Sequence, residues 1–154
     1  MEEMFKDILE KNEQIVKVYK PNKKVFWRRA TWMFLVPLFW PHMLMILILS
    51  GFSAPFLVAS AYKKRYYCYT NKRIIIRTGI VGVDYKSLEY KDITATSVSV
   101  GFLDKGLGTG TVEFGSPSSP IGDSQYRRNP YKFQAIQNPY DVMREIKEYK
   151  DTKK

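Results

Sequence analysis

The stretch ATWMFLVPLFWPHMLMILILSGFSAPFLVASAY, residues 30–62, contains no Lys, Arg, Asp or Glu, and the rest of the chain is organised around it. A membrane-spanning helix needs about 20 apolar residues, and runs of 18 or more with almost no charge are membrane candidates. A buried helix pair is the alternative, but a small soluble domain seldom keeps so long a stretch free of charge. The stretch begins too far into the chain for a signal peptide. We therefore expect residues 25–64 to form a transmembrane segment.

Two arrangements of this segment are open, a single kinked span and a helical hairpin. Helix-breaking residues divide it at Pro37, Pro41, Gly51 and Pro55. Basic residues flank it on both sides, namely Arg28 and Arg29 before it and Lys63, Lys64 and Arg65 after it. Lys and Arg beside a span are held on the cytoplasmic side, and a hairpin returns both flanks to that side. The pattern favours the hairpin, with aromatic side chains such as Trp27, Tyr62, Tyr66 and Tyr67 at the membrane interfaces.

The charge of the chain indicates an anionic partner. The 154 residues carry a net charge of +10. For a membrane protein the nearest anions are lipid headgroups, and each Lys or Arg near the surface adds about 1 kcal/mol of attraction to them. Nucleic acid is the competing and weaker alternative, because the tyrosines that could stack on bases cluster beside the uncharged stretch. Cys68 is the single cysteine, which excludes an internal disulfide and a cysteine-cluster metal site.

Residues 1–24 are predicted to form an N-terminal arm. Met4, Phe5, Ile8 and Leu9 recur at helical spacing. The resulting short helix has three expected positions: on the membrane, against the later domain, or free in solvent. Residues 14–19 then alternate loosely up to a turn signal at residues 20–22.

Residues 65–150 are predicted to form a small β domain with a terminal helix, followed by a tail at 151–154. Alternation and turn residues predict six strands, at residues 65–70, 73–78, 83–90, 93–100, 109–114 and 131–136. Asn138-Pro139 suits the start of a helix, and that helix has one apolar face, made by Val142, Met143, Ile146 and Tyr149. Short strands with one amphipathic helix indicate an antiparallel barrel or sandwich capped by the helix.

Several segments together resemble the bacterial pleckstrin-homology (PH)-like domain family. They are residues 69–75 (YTNKRII), Gly79, residues 90–93 (YKDI), residues 106–110 (GLGTG) and residues 136–140 (IQNPY). The chain looks most like the membrane-anchored members, in which two transmembrane helices precede the domain. The resemblance implies a mainly β fold, a PH-like antiparallel β-barrel or sandwich of seven strands capped by a C-terminal α-helix and preceded by a transmembrane helical hairpin. The seventh strand is expected from residues 15–19 or from the long loop at 116–129.

No sequence pattern indicates catalysis, a metal site or a cofactor, so we do not expect an enzyme. His42 is the one histidine, and we expect it at a turn near the outer membrane interface. The serines of residues 116–119 lack the strand-turn-helix context of a nucleophile elbow. The glycines of residues 106–110 lack the Lys-Ser/Thr pair and the helix that follow a phosphate loop.

Strand geometry predicts which turns face the membrane. The first strand after the stretch begins at Arg65, and six residues at about 3.3 Å each carry the chain about 20 Å away before it turns. The turns that return toward the bilayer carry Ile80, Val81, Phe102, Leu103 and Lys105. Burial of Phe102 and Leu103 in the barrel mouth is the alternative. Basic residues expected to face away, toward a partner, are Lys72, Arg73, Arg127 and Arg128.

These features predict a non-catalytic binding or scaffolding module at the cytoplasmic face of a bacterial membrane. Its ligand is expected to be a protein, a second copy of the chain or an anionic lipid headgroup. The alternatives are a basic β-barrel that binds nucleic acid and a single-span protein whose domain binds a ligand outside the cytoplasm. Two basic residues at the first hairpin are thin support for the phosphoinositide binding of eukaryotic PH domains, so we do not expect that activity.

Overall fold

The computed structural model describes residues 2–35, 54–121 and 129–152, within which seven strands form two antiparallel sheets. The first sheet has the order β1-β2-β3-β4 and the second the order β5-β6-β7. The strands are β1 (Ile15–Tyr19), β2 (Tyr66–Thr70), β3 (Arg73–Thr78), β4 (Asp84–Glu89), β5 (Ala95–Ser99), β6 (Thr109–Gly115) and β7 (Lys132–Gln137). All six predicted strands are therefore confirmed.

Helices accompany the sheets. In the described ranges the α-helices are α1 (Lys23–Leu35), α2 (Ala54–Lys64), α3 (Phe102–Lys105) and α4 (Pro139–Thr152), and the 3-10 helices are Glu2–Ile8 and Tyr90–Asp92. None of the helices in these ranges combines the length and the apolar character needed to cross a bilayer. The centre of the uncharged stretch, residues 36–53 with His42, lies outside the described residues.

The seventh strand, β1, comes from the arm that precedes the uncharged stretch. It runs antiparallel to β2, with Val18 opposite Cys68 and Tyr19 opposite Tyr67. Of the two expected sources of the seventh strand, residues 15–19 are therefore the correct one. The chain leaves the sheet after β1 and returns to the neighbouring position at β2.

The N-terminal 3-10 helix lies against the outer face of the first sheet. Phe5 is fully buried there in an apolar cluster with Tyr66, Cys68 and Ile75. The hydroxyl of Tyr85 in β4 donates to a backbone carbonyl of the 3-10 helix at 2.7 Å. Of the three expected positions for this helix, the one against the domain is confirmed.

The core lies between the two sheets and beneath α4. Tyr67 of β2 stacks on Phe133 of β7 with ring centroids 4.9 Å apart, and Phe114 of β6 meets the same ring edge-on at 5.1 Å. The apolar face of α4 covers this core with Val142 and Ile146. Tyr66 and Tyr67 are both buried in the domain, so their predicted position at a membrane interface is wrong.

A carboxylate fixes α4 to the first sheet. Glu145 accepts hydrogen bonds from the ammonium of Lys17 at 2.8 Å and from the hydroxyls of Tyr19 and Tyr69 at 2.7 Å each. Partial burial raises the pKa of Glu145, but the three hydrogen bonds outweigh this effect and hold the pKa below its ordinary value. The helix is therefore fastened to β1 and β2, the two strands that the uncharged stretch connects.

Candidate functional site

α1 and α2 both connect to the first sheet at the same end of the domain, which we call the helix end. α1 begins at Lys23, shortly after β1, and α2 ends at Lys64, shortly before β2. The two helices contact each other through the rings of Phe26 and Tyr62, whose centroids are 5.4 Å apart. The helix end therefore carries both flanks of the uncharged stretch.

The turn between β3 and β4 packs against α2 at the helix end. The Ser60 hydroxyl donates to the carbonyl of Ile80 at 2.6 Å. The ammonium of Lys64 donates to the same carbonyl at 3.0 Å and also to the carbonyl of Val81. Gly79 opens the turn with φ = 147°, and a Cβ at this position would lie 2.2 Å from a backbone oxygen, so the turn requires glycine. This turn therefore lies beside the flank of the uncharged stretch that follows it in the chain, and its contact with the membrane stays a prediction.

The second predicted turn, residues 101–105, contains α3 and is held to α1 by an ion pair. The guanidinium of Arg29 donates to the carboxylate of Asp104, whose side chain is buried. The other carboxylate oxygen accepts a hydrogen bond from the Thr109 hydroxyl at 3.1 Å. A buried carboxylate needs such partners, because leaving it unpaired away from water is strongly unfavourable. Both predicted turns therefore lie at the helix end.

Large apolar side chains of these two turns are exposed. Val81 is 86% exposed, Phe102 is 94% exposed and Ile80 is 52% exposed. Phe102 therefore does not enter the barrel mouth, and that alternative is wrong for this residue. The side chain of Leu103 lies outside the described part of the chain. Apolar side chains exposed together are typical of surfaces that bind a partner or a membrane.

The basic residues of the helix end are either exposed or bonded within the domain. The exposed ones include Arg28, Lys63 and Lys105. Arg29 and Lys64 make the internal bonds described above, so their charge is partly used in holding the two turns. Arg65 packs its guanidinium over the Phe26 ring, 5.3 Å from the centroid. The helix end thus combines exposed apolar side chains with exposed cations.

The basic residues of the β2–β3 hairpin, predicted to face a partner, bind the N-terminal segment of the chain instead of standing free. Arg73 donates to the buried carboxylate of Glu13 at 2.9 and 3.0 Å, and Lys72 pairs with Glu10 at 3.2 Å. Burial raises the pKa of Glu13, but hydrogen bonds from Arg73, from the backbone and from a threonine hold the pKa below its usual value. The charges of this hairpin are therefore largely compensated within the chain.

Few side chains in the described part of the chain could perform chemistry. Within residues 2–35, 54–121 and 129–152, no three His, Cys, Asp or Glu side chains are placed to hold a metal ion. Cys68 is fully buried, and burial raises the pKa of its thiol to about 12, so its thiolate is not available as a nucleophile. Ser116 and Ser119 bond to each other through their backbones in a tight turn. Arg127 and Arg128 lie outside the described residues.

Asp104, Ser60 and Glu13 position these elements, and sequence analysis did not identify any of them. Asp104 is 75 residues from the arginine that it pairs with, and Glu13 is 60 residues from its own partner, so no local spacing links them. A weak local signal exists for Asp104, since an acidic residue in the first turn of a helix accepts bonds from free backbone N–H groups. The N–H of Gly101 does donate to Asp104 at 3.3 Å.

Two antiparallel sheets with a C-terminal helix over their core define a protein with a PH-like fold. A family model described as Bacterial PH domain matches residues 27–149, and the chain belongs to this family. The predicted resemblance is thereby confirmed for the domain. β1 lies before the matched residues and completes the first sheet.

Two solved structures are similar to the chain. A DUF1696 family protein with a pleckstrin-homology domain from Shewanella loihica PV-4 superposes with a TM-score of 0.50 at 13% identity, covering 97% of this chain and 92% of that one. A pleckstrin homology domain from Shewanella amazonensis SB2B gives a TM-score of 0.47 at 15% identity, covering 97% of this chain and 94% of that one. The first likeness supports the fold alone. A search of curated proteins found no match.

Proposed function

We propose that the chain is a membrane-anchored PH-like module that binds or scaffolds a partner at the membrane surface without catalysing a reaction. The observation that carries this proposal is the pairing of β1 with β2, which sets Tyr19 beside Tyr67. Neighbouring strands lie about 4.8 Å apart, so the chain leaves and re-enters the domain at nearly one point. A single span would place its two ends on opposite faces of a bilayer. The pairing therefore supports the hairpin for the uncharged stretch.

The exposed side chains of the helix end support direct contact between the domain and the bilayer. Burying a side chain such as Phe102 or Val81 in an apolar environment contributes about 1.5–3 kcal/mol. Exposed cations, among them Lys63 and Lys105, each add about 1 kcal/mol of attraction to anionic headgroups. Phosphatidylglycerol or another anionic lipid is therefore the surface that the helix end suits best.

The orientation follows from the same residues. Lys and Arg beside a span are held on the cytoplasmic side, and here both flanks belong to one end of the domain. We therefore place the domain on the cytoplasmic face of a bacterial membrane. The nucleic-acid alternative loses its support, because Tyr66, Tyr67 and Tyr69 are buried and offer no faces on which bases could stack.

Site-specific fluorescent labels test the membrane contact. An environment-sensitive dye attached to Val81→Cys or Phe102→Cys in the full chain, reconstituted in phosphatidylglycerol-containing liposomes, is expected to shift to the blue and to resist an aqueous quencher. Lys91→Cys is the matched control, since Lys91 follows the far end of β4 and is exposed. Cys68 can stay in place because it is buried. Dyes at Val81 and Phe102 that are quenched as fast as the dye at Lys91 would show that the two turns do not touch the bilayer.

Cysteine accessibility in intact cells tests the hairpin and the orientation. Single cysteines at Glu3 in the N-terminal 3-10 helix and at Glu148 in α4 are both exposed on the domain. A hairpin with a cytoplasmic domain predicts that a membrane-impermeant thiol reagent labels neither until the membrane is opened. Labelling of both from outside would reverse the orientation, and labelling of one alone would refute the hairpin.

A further inference from the structure

A cleft of about 370 Å³ lies where β2, β3 and β4 of the first sheet approach β7 of the second. Its lining includes Arg65, Thr78, Lys86, Lys132 and Gln134. Tyr67 also lines the cleft, and its ring stacks on the ring of Phe133 in the core. The cleft is distinct from the exposed apolar side chains of the helix end, although Thr78 ends β3 just before the turn that carries them.

The charged side chains among the described residues of the cleft lining are all positive. Arg65, Lys86 and Lys132 supply three cations, and the described residues that line the cleft include no Asp or Glu. The ammonium of Lys132 lies 4.0 Å from the carboxylate of Glu113. Among the described residues, neither Arg65 nor Lys86 has an acidic partner within salt-bridge distance. The strand register explains why Lys86 is there: it lies opposite Ile76, which lies opposite Tyr67, so all three share one face of the sheet.

Arg65 is the cation that most needs an anion. Its Nη1 donates to the side-chain oxygen of Gln134 at 2.9 Å, but its Nε is buried and meets no acceptor among the described residues. One face of the guanidinium is covered by the ring of Phe26 at 5.3 Å. A guanidinium that is partly removed from water without a carboxylate partner is left with uncompensated charge, which an anion in the cleft would satisfy.

We propose that this cleft binds a phosphate group. Arginine recognises phosphate through its planar set of N–H donors, and lysines add point charges around the remaining oxygens. The Thr78 hydroxyl supplies a neutral donor in the same lining. A phosphate ester in solution and the phosphate of a lipid headgroup share this chemistry. The proposal does not depend on membrane anchoring, because a soluble phosphate can reach the cleft in either case.

Calorimetric titration of the full chain in phosphatidylcholine nanodiscs, with inorganic phosphate and with glycerol 3-phosphate, tests the site. We expect saturable binding that weakens about tenfold or more in the Lys86→Ala/Lys132→Ala variant, because each lysine is a charged contact to the ligand. Lys91→Ala is the matched control, since this exposed lysine pairs with Glu89 outside the cleft, and it should bind as the wild type does. Chloride at equal ionic strength corrects for screening.

The outcomes separate the site from a general effect of charge. Equal affinity in the double variant and in Lys91→Ala, or no saturable binding by the wild type, would overturn the proposal. Circular dichroism and protection of Cys68 from thiol reagents show whether the variants are folded. A second titration in nanodiscs that contain phosphatidylglycerol identifies the source of the phosphate. If a headgroup occupies the cleft, glycerol 3-phosphate binds more weakly there, whereas an unchanged affinity assigns the site to a soluble phosphate ester.

Discussion

Replacing Glu13 with Gln should release the N-terminal segment from the first sheet while the rest of the domain stays folded. The Glu13 carboxylate accepts hydrogen bonds from the Thr70 hydroxyl at 2.7 Å, from the Glu10 N–H at 2.8 Å, and from Arg73 at 2.9 and 3.0 Å. An amide keeps one accepting oxygen but turns an NH₂ group toward donors. Because the amide is uncharged, the two charge-assisted hydrogen bonds from Arg73, each worth about 1.5–3 kcal/mol, are largely lost.

The replacement should lower the free energy of releasing the N-terminal segment by about 3 kcal/mol, which is at the low end for breaking a buried ion pair. The low end applies because Arg73 retains a second carboxylate, that of Glu10 at 3.3 Å, which is largely exposed. Cys68 reports release of the segment, because it is buried in one apolar cluster with Phe5 and becomes accessible when Phe5 leaves. Because a factor of ten corresponds to about 1.4 kcal/mol, the rate of thiol labelling at Cys68 should rise about 150-fold.

Glu10→Gln is the matched control for this experiment. Glu10 lies in the same segment and pairs with the same arginine, but surface ion pairs contribute about 1 kcal/mol or less. Labelling of Cys68 should therefore rise about fivefold at most in the control. A Glu13→Gln variant that labels no faster than Glu10→Gln would refute the reasoning, and circular dichroism checks that the domain has not unfolded as a whole.

Three further predictions concern the domain. The pKa of Glu145 is lowered on folding, so this carboxylate stabilises the fold above its unfolded pKa of about 4.3 and the contribution is lost as the pH falls through the folded pKa. The urea midpoint should consequently fall less between pH 7 and pH 3 in Glu145→Gln than in the wild type, and an equal fall in both proteins would contradict this. Asp104→Asn leaves a guanidinium of α1 without its buried partner and should lower the free energy of unfolding by about 3 kcal/mol, whereas a loss below about 1 kcal/mol would argue against a buried pair. Gly110→Ala places a Cβ 2.8 Å from the Pro139 ring and should cost about 1–3 kcal/mol in urea unfolding, while Gly106→Ala, with nothing within 4 Å, should not; equal costs would refute the clash.

The elements that the sequence predicts well are those set by neighbouring residues. β2 ends just before residues 71–72 and β3 begins just after them, as the turn signal at these residues predicts. α4 begins at Pro139, as the position of this proline after Asn138 predicts. β1 is a weaker prediction because its alternation is loose. Ile15 and Val18 both pack against the apolar cluster under the N-terminal helix, so buried and exposed side chains do not alternate regularly along β1.

The contacts that build the candidate sites could not be predicted, because they join residues far apart in the chain. Strand length predicts where the two turns lie, but it leaves open whether Phe102 is exposed or buried in the barrel mouth, and only the structure shows that Phe102 is exposed. The ion pair that holds α3 to α1 depends on how the two helices approach the sheets. The cationic cleft has a similar origin, since Lys86 becomes part of it only through its register with Ile76.

The pairing of β1 with β2 also has a consequence for biosynthesis. β1 is made before the other described strands, and the residues that it contacts, Tyr67, Phe133 and Glu145, are made later. Tyr19 and Glu145 are 126 residues apart, which at about 5–20 residues per second is a delay of roughly 6–25 s. The uncharged stretch is translated within that interval, before the sheet can be completed. β1 therefore cannot complete its contacts with β7 and α4 until residue 145 has been synthesised.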